Sequence, residues 1–380
     1  MAIYLDHNAT SPLRPEAREA MLPWLGGRFG NAGSAHATGR AARAALEAAR
    51  EALAGCIGAE PDEVVLTSGG TEGGSLAVLG AARASARGRH AVVSAAEHAC
   101  VLNAGHSLAS FGYQASLAPV DAGGRVSLDS LKATARPDTV LASVMHANNE
   151  TGAANDIAAL GAWCRERRIL FHTDAVQSFG KLPLDVRQLP VDLASFSAHK
   201  FGGPQGAGFL YVKRGLRLVP LLYGGDQEQG LRPGTQALAQ ALGMAAAAQA
   251  ACASREQEAL RLGRLRDGLQ QALLQGIPGL KVNGGGGPRV PNTLSVLLPG
   301  LASDLMLLAL DQAGIEASSG AACHAGASQP SHVLLAMGLP EAQASSALRL
   351  SLGWSTRDAE LAPAAEAIIA CWRRLSGAGR

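Results

Sequence analysis

Two short runs of this 380-residue chain close β-prone stretches with groups that can do chemistry. Phe171-His172-Thr173-Asp174-Ala175-Val176-Gln177 ends a strand pattern in an acid, and 26 residues beyond Asp174 the run Ser195-Phe196-Ser197-Ala198-His199-Lys200 ends another in a lysine. Lysine is scarce here: Lys132, Lys181, Lys200, Lys213 and Lys281 are the only 5 among 33 basic residues, so few amine nucleophiles are available. An amine can form a Schiff base with an aldehyde, and a carboxylate can keep a heteroaromatic nitrogen protonated. An Asp and a Lys at the ends of neighbouring strands are therefore what a pyridoxal 5′-phosphate (PLP) site needs. Either residue alone reads as a surface ion pair or a helix cap.

Two further stretches matter. Gly69-Gly70-Thr71 lies between a strand and a helix, where backbone N–H groups and a helix N-terminus favour a phosphate. It lacks the GxxxxGK[ST] spacing of a P-loop, and taken alone it is a plain turn with Thr71 as N-cap. Cys323 sits in Ser318-Ser319-Gly320-Ala321-Ala322-Cys323-His324-Ala325-Gly326-Ala327-Ser328, almost only small residues. Such a run has little to pack and is expected to be a mobile tether, with His324 placed to favour a thiolate. The other cysteines, Cys56, Cys100, Cys164, Cys252 and Cys371, read as inert thiols in helical or apolar surroundings, Cys100 standing apart for its closeness to His98.

The elements that must position these groups alternate. Glu63–Thr67, Ala91–Ser94, Thr139–Met145, Ile169–Thr173 and Leu193–Ser197 read as strands, with helices at Gly39–Cys56, Thr71 to about Ala86 and Ile157–Arg167. This pattern predicts an α/β domain with a largely parallel sheet, whose ligands sit at the carboxyl ends of the strands. A long helix follows over Thr235–Leu274. The glycine run Gly284–Gly287 reads as a flexible turn, and after it come a strand near Asn292–Leu298 and helices near Ala302–Ala313 and Thr356–Leu375. The expected organisation is a large domain over 16–255 and a smaller α+β domain over 256–380, joined by the N-terminal segment 1–15.

Composition narrows the function classes. Hydrophobic residues make up 47% and the net charge is +2, which argues against disorder and against a basic nucleic-acid arm. The uncharged stretch Gln236–Ser254 is mostly alanine and reads as a helix against protein, so no membrane segment is expected. No two cysteines lie closer than 44 residues, which removes a zinc knuckle; with no leader peptide expected, this points to a reducing cytoplasm.

Ten runs in order resemble the cysteine desulfurases of the class V aminotransferase family: Tyr4–Thr10, Thr67–Glu72, Glu97-His98, Asn148–Gly152, His172–Gln177, Ser197–Lys200, Gly224–Glu228, Arg232–Thr235, Ser318–Cys323 and Leu348–Gly353. The resemblance covers nearly the whole chain and implies fold type I of the PLP-dependent transferases. It implies that Lys200 carries PLP as a Schiff base, that Asp174 faces the pyridine nitrogen, that Gln177 and Asn149 lie near the ring hydroxyl, and that His98 stacks on the ring and relays protons. Gly70, Thr71, Ser197 and His199 would hold the phosphate, with Thr235 contributed by the second subunit of a homodimer. Asn149 and Arg349 would bind the substrate, Arg349 clamping its carboxylate. Cys323 would take sulfur from L-cysteine as a persulfide, leaving L-alanine, and pass it to an acceptor such as an iron–sulfur scaffold. No resident metal is implied; Cys323 would at most touch an iron–sulfur cluster transiently during transfer.

The loop matches the long-loop branch of the family. Gly73-Gly74-Ser75, Pro233 and Ala321 depart from its common pattern, and Pro233 bears on how Thr235 reaches a neighbouring phosphate. Two alternatives stay open at this point. One is a related PLP enzyme such as an aminotransferase or selenocysteine lyase, which needs no Cys323; the other is a non-catalytic scaffold of the same fold.

Overall fold

The structure, a computed structural model, describes residues 2–320 and 330–377. The chain opens with β1 (Ile3–Tyr4) and then builds a seven-stranded sheet from β2 (Val64–Thr67), β3 (His90–Ser94), β4 (Gln114–Ala118), β5 (Thr139–Ser143), β6 (Leu170–Asp174), β7 (Leu193–Ser197) and β8 (Gly208–Val212). The order is β2-β8-β7-β6-β5-β3-β4. All neighbours are parallel except β8, which runs antiparallel to both β2 and β7. The strands β2, β3, β5, β7 and β8 are buried throughout, so both of their faces are covered and their polar residues, such as His90, Ser195 and Ser197, are buried too. Helices cover both faces, so the sheet is a mainly parallel α/β layer.

The back of the chain forms a smaller sheet from β9 (Lys281–Asn283) and β10 (Thr293–Leu297), together with β12 (Ser318–Ser319) and β13 (Ala347–Ser351), in the order β12-β13-β10-β9. Between them β11 (Ile315–Glu316) pairs with β1. One helix, Leu238–Gly276, serves both halves. Its alanine-rich first part puts Ala241, Met244, Ala245, Ala247, Ala248 and Ala251 into the core under the large sheet. Its second part puts Leu262, Leu269 and Leu273 into the core of the small one. Among the described residues no helix is long and apolar enough to cross a membrane.

The N-terminal segment stitches the two sheets together. Leu5 lies in the core of the small sheet, the Asn8 N–H donates to Ser351 Oγ at 2.9 Å, and the Ser11 N–H donates to the His199 carbonyl at 2.9 Å. A Cβ on Gly353 would lie 2.0 Å from His7 Nδ1, so only glycine lets β13's end pass this close to the segment. The glycine run is a clamped turn: Arg125 donates to the carbonyls of Gly284 and Pro288.

Candidate active site

The carboxyl ends of β6 and β7, the turn after β2 and the start of the helix after β3 converge on one cavity of about 310 Å³. Gly70, Thr71, His98, Asn149, Asp174, Gln177, Ser197, His199, Lys200 and Arg349 all line it. Thr235 is exposed and does not line the cavity. Cys323, with His324, lies outside the described residues.

Each wall has a local cause. After β2, Gly69 takes φ +153°, a left-handed conformation open to glycine, and turns the chain into a helix spanning 70–84 that carries a π-helical stretch, Leu76–Gly80. A Cβ on Gly70 would lie 2.8 Å from Val176 Cγ2, so this helix start sits directly on the β6 turn. No side chain caps it, which leaves its first N–H groups for a ligand. Ser197 and His199 reach the same corner, where the His199 ring meets Thr10 Oγ1 at 3.1 Å.

Asp174 ends β6 and is buried. Its Oδ1 accepts the Val176 N–H at 2.8 Å. Burial pushes its carboxyl up to about 6, while the Val176 N–H and Lys200 pull the other way. Behind it Glu97 is fully buried and accepts the Met145 N–H, and its Oε2 has no partner among the described residues; burial and Asp174 raise its carboxyl well above the usual range. Lys200 donates to the carbonyls of Asn8 and Ala9 at 2.6 and 2.7 Å. Burial and then Lys200 lower His98 to about 4, so its ring is neutral at pH 7. His98 Nδ1 accepts the Cys100 N–H at 3.2 Å, which puts the ring proton on Nε2. The Cys100 thiol, 3.0 Å from the same nitrogen, also lines the cavity, and burial raises its pKa.

The opposite wall is Arg349 of β13. It donates to Asp6 Oδ1 at 2.8 Å and to the Asn149 carbonyl at 3.2 Å, and its buried Nε has no partner among the described residues. Asn149 Oδ1 is likewise buried without a partner. The next residue, Glu150, is buried and accepts from Ser331 Oγ, and burial raises its carboxyl to about 7. A Cβ on Gly320 would lie 2.5 Å from Glu150 Oε2, so the carboxylate that Ser331 bonds also packs directly against Gly320.

Sequence reasoning did not pick out Asn8, Asp6, Lys181 or Glu150 individually. Asn8, Asp6 and Glu150 lie inside runs that carried the resemblance. Lys181 had no signal beyond the rarity of lysine.

Residues 3–362 match the aminotransferase class-V family. The chain is 43% identical to the cysteine desulfurase IscS of Dictyoglomus turgidum, an alignment covering 94% of this chain and 91% of that one. A solved structure of a NifS-like protein superposes with a TM-score of 0.91 at 34% identity, covering 97% and 99% of the two chains. A second, SspA in complex with cysteine, has a TM-score of 0.81 at 34% identity, covering 92% and 98%. The chain belongs to the class V aminotransferase family and, within it, to the cysteine desulfurases. The cofactor of these enzymes is PLP.

The residues present fit that group. The cavity offers an amine, a buried acid, a neutral imidazole, an uncapped helix start beside Ser197 and His199, and an unpartnered Asn149 Oδ1.

Proposed function

We propose that this chain converts L-cysteine to L-alanine and passes the sulfur through a persulfide on Cys323 to an acceptor protein, as in iron–sulfur cluster assembly or other thio-cofactor synthesis. The observation that carries this is the meeting, in one cavity, of Asp174 and Lys200 from adjacent strand ends with Arg349 from the other sheet. Lys200 is the residue to hold PLP, with Asp174 on its ring nitrogen, Gln177 and Asn149 at its ring oxygen, His98 over its face, and Gly70, Thr71, Ser197 and His199 at its phosphate. When bound, PLP supplies an electron sink that makes the Cα proton of an amino acid removable.

The protein's own groups do the rest. Arg349 turns its unpartnered Nε edge to the substrate carboxylate, a pairing suited to its planar fork. Asp6 and the Asn149 carbonyl hold the guanidinium in place. Lys200 is the base nearest the reacting carbon, and neutral His98 presents an N–H at Nε2 for proton relay. The Cys323 thiolate attacks the substrate sulfur. A sulfur–sulfur bond forms as the Cβ–sulfur bond breaks, and the electron pair left on Cβ takes a proton before alanine departs.

A homodimer is part of this reading. Phe29, Tyr223, Leu25 and Leu222 are exposed apolar side chains, Tyr223 at 79%, and Thr235 is exposed in the same part of the chain as Tyr223. A symmetric partner would cover them and bring Thr235 to the other subunit's phosphate corner. Work in a reducing cytoplasm accords with the described cysteines all being free thiols.

The test is stoichiometric. With L-cysteine and no added thiol, the wild type should form about one persulfide per chain and one alanine, with the extra sulfur mapped by mass spectrometry to Cys323. Cys323→Ala should bind PLP normally and release alanine about 10²-fold more slowly. Alanine release at the wild-type rate would favour a lyase chemistry that needs no Cys323 thiolate, and a keto acid in place of alanine would favour an aminotransferase.

A further inference from the structure

Behind the cavity a second lysine touches a residue of the site. The Lys181 ammonium donates to Gln177 Oε1 at 2.9 Å, and Gln177 Nε2 donates to the Asn8 carbonyl at 3.0 Å. The Asn8 carbonyl accepts only, and it also receives Lys200 Nζ at 2.6 Å. These partners leave the Gln177 amide one orientation. Its oxygen faces Lys181, one N–H faces Asn8, and the remaining N–H is left for the cavity that Gln177 lines. Gly180, at φ +70°, makes the turn that delivers Lys181; a Cβ there would lie 2.9 Å from Ala251 Cβ. Lys181 thus sits between the site and the long helix, and it also lines a small second cavity of about 40 Å³ shared with Lys200, His7, Ser254 and Glu258.

We propose that Lys181 is a positioning residue: it locks the Gln177 amide so that the site always presents an N–H donor, never a carbonyl, to the cofactor's ring oxygen. The proposal rests on the PLP reading given above. Without Lys181, no other described residue holds Gln177 Oε1, and only the Asn8 carbonyl opposes a flip that would set an acceptor against an oxygen that carries negative charge. Burial, Lys200 and Arg349 lower Lys181 to about 7. An uncharged amine still donates an N–H to Oε1, so the lock works in either protonation state.

The test is the pH titration of the visible absorbance of the PLP-loaded enzyme, read alongside the PLP dissociation constant. A donor on the ring oxygen withdraws electron density and makes the chromophore less basic. Lys181→Met should therefore raise the titration midpoint by about one pH unit and weaken PLP retention about tenfold, the effect of losing one hydrogen bond to a charged group. Lys181→Ala, which removes the donor without adding bulk, should do the same, and Lys181→Arg should restore the wild-type midpoint. Gln177→Leu should raise the midpoint too, and Lys181→Met added to it should change nothing further.

A wild-type midpoint in Lys181→Met and Lys181→Ala, with a shifted one in Gln177→Leu, would overturn the inference and leave the PLP reading standing. A Lys181→Met shift of equal size in the Gln177→Leu background would also overturn it, since the lysine would then act by charge alone. An unmoved midpoint in Gln177→Leu would overturn both the inference and the placement of Gln177.

Discussion

The two walls of the cavity hold their polar groups differently. On the large-sheet side Asp174 keeps one backbone N–H, and Glu97 and Asn149, in the segments after β3 and β5, each keep an oxygen with no partner among the described residues. The small-sheet wall holds Arg349 between a carboxylate and a carbonyl before any substrate arrives. Under-satisfied buried groups cost free energy that a resident ligand recovers. A preformed ion pair fixes a fork that has to meet a new substrate molecule at every turnover. On the proposed function, the contrast separates a wall for a lasting cofactor from one for a passing amino acid.

Removing the fork should break the second wall and spare the first. Arg349→Ala should lower kcat/KM for L-cysteine about 10²-fold or more, in line with the loss of a buried charge pair, and still load PLP to the wild-type level. Equal loss of cofactor would mean that the walls are one unit. Asp6→Asn sharpens the same comparison at smaller scale. The guanidinium keeps its Asn149 contact but loses its anion, so KM should rise about threefold to tenfold with kcat little changed. A lower KM would show that Asp6 competes with substrate for Arg349.

The smallest effect reads the burial of the first wall through proton linkage. Burial lowers His98, His146 and His199 to about 4 and His172 to about 3, and His7 behind the site to about 4, against an ordinary 6.5. Between about pH 4 and 6.5 the unfolded chain binds protons on these histidines that the native protein refuses, so stability rises with pH. The raised carboxyls of Asp174, Glu150 and Glu97 act the other way, since the native protein keeps their protons to higher pH. Five histidines outweigh three carboxyls, and the PLP-free protein should gain about 5 °C in Tm from pH 4.5 to 6.5. A flat or falling Tm over that range would show that the carboxyls dominate.

Much of this was legible in the sequence because apolar strands with polar ends leave local marks. Leu193–Ser197 matches β7 residue for residue and Asp174 closes β6, while Lys200 lies just past β7 in the 3-10 turn Ala198–Lys200. The edge strand β4 was missed because it is only partly buried and carries Gln114 and Ser116, so no apolar run announces it. The antiparallel β8 follows the glycine-rich turn after Lys200 and packs Phe209 against Phe196 at 4.1 Å between ring centroids, a contact that only the fold reveals. The terminal helix begins at Leu361, not Thr356, because Thr356 Oγ1 instead accepts the Gly353 N–H and closes the turn after β13. The Asp6–Arg349 pair and the Asn8 carbonyl were hidden for a different reason. They depend on where the N-terminal segment is threaded, which no spacing encodes.

A PLP site organised around Lys200 has a built-in competitor in this structure: Lys181 lies one glutamine away. Borohydride reduction of the loaded enzyme followed by peptide mapping separates the two. The reduced cofactor is expected on the peptide carrying Lys200, with Lys181 unmodified. Attachment at Lys181, or a reduced protein that carries no cofactor, would contradict it.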